Sequence, residues 1–135
     1  MIADSSVWID YLRSGRGDAA EALDLALRRR EVRLLPTILQ EVLQGADSPQ
    51  RFAAWQRAFE ILPVAHADDA ALTATLAAGI YARCRWAGFT IRSANDCLIA
   101  ASCVELDEPL LHADRDFDTI ARIEPRLRLV ALPKR

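Results

Sequence analysis

Five carboxylates occupy places where a patterned run of residues meets a turn or a helix end: Asp4, Glu41, Asp96, Asp114 and Asp116. Asp4 closes the short run Ile2–Ala3. Asp96 opens the apolar run CLIAASCV. Asp114 and Asp116 follow directly on LLHA. Glu41 lies outside the apolar stripe Ile38, Leu39, Val42, Leu43 and Ala46 of its segment. Taken singly, each acid has a structural reading. Asp4 can cap the next helix, Glu41 can be solvated, Asp96 can complement a helix dipole, and Asp114, Asp116 and Asp118 can share a solvated loop. Taken together they predict one site. Carboxylates gathered without a cation or a proton repel one another. An oxygen-only donor set without nearby His or Cys selects hard cations, Mg²⁺ or Mn²⁺.

Positioning such a set requires elements whose ends share one edge. A short strand at Ile2–Ala3 ends at Asp4, and Ser5 and Ser6 cap a helix over Val7–Leu12. Asp18 and Glu21 form a capping-box pattern for a helix reaching Arg30. Val32–Leu35 reads as a strand stopped by Pro36. Thr37 then caps a helix ending at Gly45, and Ser48 and Pro49 open another through Glu60. Ile61–Val64 reads as an extended edge piece, because Pro63 lacks a donor. Asp68–Trp86 predicts a long Ala-rich helix closed by Gly88. A helix over Ser93–Glu105, a strand over Leu110–Ala113, a helix over Phe117–Ile123 and a last strand over Leu127–Leu132 complete the chain. The tail from Pro133 is expected to fray. Strands alternating with helices predict an α/β architecture with a mainly parallel sheet between helices. Ligands bind outside the strand C-terminal ends in such sheets, which is where the acids fall.

The 135 residues suit one domain, 1–135. No apolar run approaches a membrane span and MIADSSVWID lacks a basic leader, so the expected compartment is the cytoplasm. Cys84, Cys97 and Cys103 have no CxxC spacing and read as small buried hydrophobes. His66 and His112 do not make a zinc site with them. The net charge of −2 argues against a large basic surface that holds nucleic acid by itself, but not against a nuclease whose acids hold divalent cations. Of the 17 basic residues all but Lys134 are arginine, which suits bidentate phosphate contacts.

MIADSSVWIDYL, LPTILQEVLQG, NDCLIAA and LLHADRDFD, in that order, resemble the four elements of PIN-domain ribonucleases, specifically the VapC-type toxins of bacterial toxin–antitoxin pairs. The resemblance spans nearly the whole chain. It implies a three-layer α/β/α PIN-like fold and an endoribonuclease that hydrolyses RNA phosphodiesters with metal-activated water. One or two Mg²⁺ or Mn²⁺ ions would be bound per active site. By position, Asp4, Glu41, Asp96 and Asp114 correspond to the metal-binding quartet, Asp116 to an assisting fifth acid, and Ser6 to a hydroxyl that points into the pocket. His112 departs from the T-x-D or T-x-N pattern of many relatives and leaves open how Asp114 and Asp116 divide the work. Asp118 matches no catalytic position. Products carrying a 5′-phosphate and a 3′-hydroxyl are implied. So are a structured RNA target such as a tRNA or ribosomal RNA loop, a VapB-like antitoxin that masks the site, a homodimer and a toxin–antitoxin hetero-oligomer.

Arg83, Arg85, Arg92 and Arg115 are candidates for phosphate contacts, with ordinary surface roles as the other reading. Trp86 and Phe89 can stack bases or join the core. Trp8, Tyr11 and Leu12, with Trp55 and Phe59, can line an antitoxin groove or join the core. The long Ala-rich helix can supply the dimer interface. A Mg²⁺-dependent receiver domain would need a lysine after a late strand, and the chain has only Lys134, in its tail. A non-catalytic binding module is the other alternative. The complete acid set argues against it.

Overall fold

The computed structural model describes residues 1–133; Lys134 and Arg135 of the expected fraying tail lie outside the described residues. In chain order the elements are β1 (Ile2–Ala3), α1 (Ser5–Arg13), α2 (Asp18–Arg28), α3 (Pro36–Gln44), α4 (Pro49–Phe59), α5 (Ala70–Trp86), α6 (Ala94–Leu106), β2 (Leu110–Leu111) and α7 (Arg115–Ile123).

β1 and β2 pair in parallel, with Ile2 opposite Leu110 and Ala3 opposite Leu111. Three further extended segments extend this pair to either side. Arg33 N–H donates to the Met1 carbonyl at 2.9 Å, Leu34 bridges Val64, and Leu110 bridges Leu129, both in parallel. Side by side the order is therefore Val64, Leu34, β1, β2, Leu129. The expected strands at Val32–Leu35, Ile61–Val64 and Leu127–Leu132 shrink to single bridges. For the first two the cause is local: Pro36 begins α3 at once and Pro63 has no N–H to continue a ladder. β2 also stops two residues earlier than expected, because His112 and Asp114 turn the chain into α7.

Helix ends differ from expectation in their caps. Asp4, not Ser5 or Ser6, is the N-cap residue of α1. Gly17, at φ 95°, precedes α2 in place of an Asp18 cap. α2 ends at Arg28, and Arg30 turns the chain at φ 57° while Glu31 N–H returns to the Ala26 carbonyl. Leu35 and Pro36 start α3, which frees the Thr37 hydroxyl for the site. Ser48 and Asp69 cap α4 and α5, accepting from the N–H groups of Arg51 and Leu72.

The core is continuous. β1 and β2 are fully buried, and Ile38, Val42, Ile80, Ile99, Phe117 and Ile120 bring α3, α5, α6 and α7 onto them. α5, α6 and α7 pack on one another, α1 packs on α2 and α3, and α3 touches both α4 and α6. Trp8 meets the Phe59 ring edge-on at 4.8 Å, and Trp8, Trp55 and Phe59 are all buried. These three belong to the core, the second of the two readings the sequence allows. Tyr11 and Leu12 are half-buried against it. The three cysteines are free and buried, as expected. At one end, the Met1 ammonium and Arg33 both pair with Glu108. Among the described residues no helix is long and apolar enough to cross a membrane.

Candidate active site

Asp4 and Asp114 leave the same end of two neighbouring parallel strands. Asp4 N–H still bonds the Leu111 carbonyl at 2.9 Å, so the two chains diverge only beyond that point. Asp4 is buried at the head of α1. Ser6 Oγ donates to its Oδ2 at 3.0 Å and Ser5 Oγ to its Oδ1 at 3.5 Å. Ser6 thus holds Asp4, in keeping with a hydroxyl directed at the site. Asp114 is the N-cap of α7: its Oδ1 accepts from Asp116 N–H at 2.9 Å, and its own N–H donates to His112 Nδ1 at 3.2 Å. One turn thereby orients two acids. His112 Nε2 lies 3.4 Å from Asp118 Oδ1, so the residue at the departing position braces the turn.

Asp96 sits in the first turn of α6, only 9% exposed. One carboxylate oxygen from each of Asp96, Asp114 and Asp116 falls within 4.8 Å of the others. Asp116, expected to assist, lies inside this tightest trio. Asp4 and Glu41 face it from the first strand and α3. Burial, then the charges of Asp4, Asp114, Glu41 and Asp116, push the Asp96 carboxyl up to about 7. Burial also raises Asp4, with Asp114 adding to it, and raises Glu41, with Asp4 adding to it. Four chain segments therefore bring all five acids into one electrostatic unit. Glu41 Oε1 is buried without a hydrogen-bond partner. A buried acceptor left open beside four other carboxylates fits a group that delivers positive charge or a bound water.

Two further residues complete the site: Asn95, which residue type alone did not point to, and Arg92, in a role other than the expected one. Asn95, next to Asp96, accepts from Thr37 Oγ1 at 2.9 Å and draws the Glu41 pKa back down, tying α3 to α6. An amide in the first turn beside an acid is the only sequence signal for it. Arg92, a candidate for phosphate contact, instead holds the acids. Its Nη2 donates to Asp114 Oδ1 at 3.0 Å, and both its backbone N–H and its Nε donate to Asp116 Oδ2, at 3.2 and 3.3 Å. Arg83 is spent elsewhere, on the Ile123 carbonyl and on buried Glu124. Arg85 and Arg115 are exposed.

An all-oxygen set of this kind can hold a divalent cation and present it at an open rim. Comparison with known proteins agrees. A model of the PIN domain matches residues 1–123. The chain is 38% identical over 125 residues to VapC ribonuclease Mb1587 of Mycobacterium bovis, covering 91% of this chain and 92% of that one. The same figures hold for ribonuclease VapC11 of Mycobacterium tuberculosis. In fold it is similar to VapBC2 of Rickettsia felis bound to a DNA fragment from their promoter, with a TM-score of 0.76, 15% identity and 98% of each chain covered. It is similar also to FitAcB of Neisseria gonorrhoeae, with a TM-score of 0.66, 18% identity and 96% of each chain covered. With its three-layer α/β/α order and its acids gathered at one strand edge, the chain belongs to the PIN-domain family.

Proposed function

We propose that this chain is a divalent-cation-dependent endoribonuclease, a VapC-type toxin held inactive by a VapB-type antitoxin. The observation that carries the reading is the convergence of four other acids on buried Asp96; burial first, and then their charges, lift its carboxyl to about 7. Such a site is poised to exchange protons for a cation near neutral pH. Mg²⁺ and Mn²⁺ fit the donor chemistry, with Asp96, Asp114 and Asp116 as the nearest ligands and Asp4 and Glu41 completing the shell directly or through water. A bound cation supplies Lewis-acid charge and lowers the pKa of a coordinated water.

The chain's own groups do the rest. The Glu41 carboxylate, whose proton affinity burial raises, accepts the proton of the attacking water. The water oxygen adds to phosphorus, the bond to the 3′-oxygen breaks, and the departing 3′-oxygen takes a proton from solvent to become a hydroxyl, so the other product carries a 5′-phosphate. Ser6 keeps Asp4 oriented, and the His112–Asp114 turn keeps Asp114 and Asp116 oriented. At this site neither a cysteine nor His112 offers a nucleophile: the cysteines are buried and His112 is committed to its turn.

The reading extends to partners and setting. Residues 1–135 act as one cytoplasmic PIN domain that pairs with a second copy and with the antitoxin. The antitoxin places a cationic side chain on the acid rim, which already accepts the Arg92 guanidinium. Calorimetric titration with Mn²⁺ tests the site. Binding is expected in the wild type and is expected to drop sharply in Asp114→Asn and in Asp116→Asn. Equal binding by folded variants would place the cation elsewhere.

A further inference from the structure

α3 carries Thr37 and Glu41 one helical turn apart, so both side chains leave the same face. Asn95, in the first turn of α6, meets both of them. The Thr37 hydroxyl is free to reach it for a local reason. Deeper in their helices, Thr73, Thr75 and Ser102 donate to the carbonyls one turn back, those of Asp69, Ala71 and Leu98. Thr37 follows Pro36 at the very start of α3 and has no helical carbonyl behind it. It donates across to Asn95 Oδ1 at 2.9 Å instead. Neither α3 nor α6 has a side-chain cap hydrogen bond that would claim Thr37 or Asn95.

An amide side chain has one accepting end and one donating end. With Oδ1 on Thr37, the Nδ2 end serves the second partner on α3, and the Asn95 side chain hydrogen-bonds the Glu41 carboxylate. The flipped amide would set its oxygen against that carboxylate, where two acceptors repel. Glu41 needs such a restraint. Its stem is flexible, and the charge of Asp4 opposes its own. Its Oε1 has no partner, so among the described residues the Asn95 bond is the polar contact that holds this side chain.

We propose that Asn95 is a positioning residue for Glu41: the Thr37 hydroxyl sets the amide, and the amide holds the carboxylate where it takes the proton of the attacking water. The proposal rests on the ribonuclease reading and deepens it by naming the pair that prepares its base.

The test compares Asn95→Ala, Thr37→Val and Thr37→Ser with the wild type, by cleavage of an oligoribonucleotide spanning a mapped cut and by calorimetric titration with Mn²⁺. Asn95→Ala is expected to lower kcat about tenfold or more, with KM and Mn²⁺ affinity unchanged. Thr37→Val keeps the shape without the hydroxyl and is expected to lose rate in the same way; Thr37→Ser restores the hydroxyl and is expected to recover most of it. The residual rate of Glu41→Gln is expected to be indifferent to Asn95→Ala, because both changes remove one function. Wild-type kcat in Asn95→Ala, equal loss in Thr37→Ser and Thr37→Val, or a full further loss on top of Glu41→Gln would overturn the proposal. A fall in Mn²⁺ affinity that matches the fall in rate would overturn it too, by making Asn95 a prop for Asp96. A second readout needs no cleavage. The Asn95 side-chain amide signal in ¹⁵N NMR, identified by its loss in Asn95→Ala, is expected to move in Glu41→Gln and in Thr37→Val and to stay in place in Thr37→Ser. RNA never cut by protein that shows these shifts refutes the ribonuclease reading and leaves the Thr37–Asn95–Glu41 contact standing; RNA cut at the wild-type rate by Asn95→Ala does the reverse.

Discussion

Asp96 bears the greatest cost of the site, because it is buried and four carboxylates face it. Replacing it with Asn removes a charge that the cation-free fold accommodates poorly. Asp96→Asn is therefore expected to melt higher than the wild type in EDTA, by roughly 4 °C for each kcal/mol relieved. It is also expected to lose most of the stabilisation that Mn²⁺ gives the wild type. Differential scanning calorimetry with and without Mn²⁺ checks both; a lower melting point in EDTA would mean that Asp96 serves the fold rather than the site. Asp4, Asp96, Asp114 and Asp116 were legible in the sequence because each borders an apolar run. Glu41 was legible only from its place off a helical stripe. The Thr37–Asn95 and Arg92–Asp114 contacts were not legible, since they join residues far apart in sequence that only the packed helices bring together.

At the scale of elements, α7 and its N-cap carry two of the five acids, and the helix depends on its inner face to stay in place. Phe117 and Ile120 are fully buried. Phe117→Ala is expected to cost about 3–5 kcal/mol in urea denaturation, with the midpoint shifted and the slope unchanged. A loss below about 1 kcal/mol would mean that α7 is held by its ion pairs instead. The helices were legible from periodicity and capping residues to within a few positions. The strands were less so. Their apolar runs are real, but Pro36 and Pro63 cut the backbone ladder and leave one bridge where a strand was expected. Thr37 shows the same limit: it reads as a cap, yet Pro36 takes the first helical position and the hydroxyl turns to Asn95.

For the molecule as a whole, acid and thiol chemistry give independent checks. The Arg126 hydrogen bonds beside Glu124 outweigh its burial and hold its carboxyl down to about 2. Its contribution to stability is therefore present above pH 4.5 and is lost as pH falls from there towards 2. Glu124→Gln is expected to flatten urea stability across that window, and an unchanged pH dependence would contradict the role. Burial pushes the Cys97 and Cys103 thiols up to about 12, and also raises Cys84. The native protein is expected to resist a thiol reagent that labels all three cysteines in urea; rapid native labelling would contradict the packing. The α/β architecture and the single acid edge were legible at this scale. The exposure of Trp86 was not, because a Trp among Ala, Gly and Phe reads equally as core.

The most direct test of the central claim is incubation of total cellular RNA with purified, antitoxin-free protein and Mn²⁺, beside EDTA and Asp96→Asn controls. Discrete fragments ending in 5′-phosphate, absent in both controls, are the predicted result. Intact RNA from folded protein shown by calorimetry to hold Mn²⁺ would contradict the claim and leave a cation-binding PIN scaffold without nuclease activity on these RNAs.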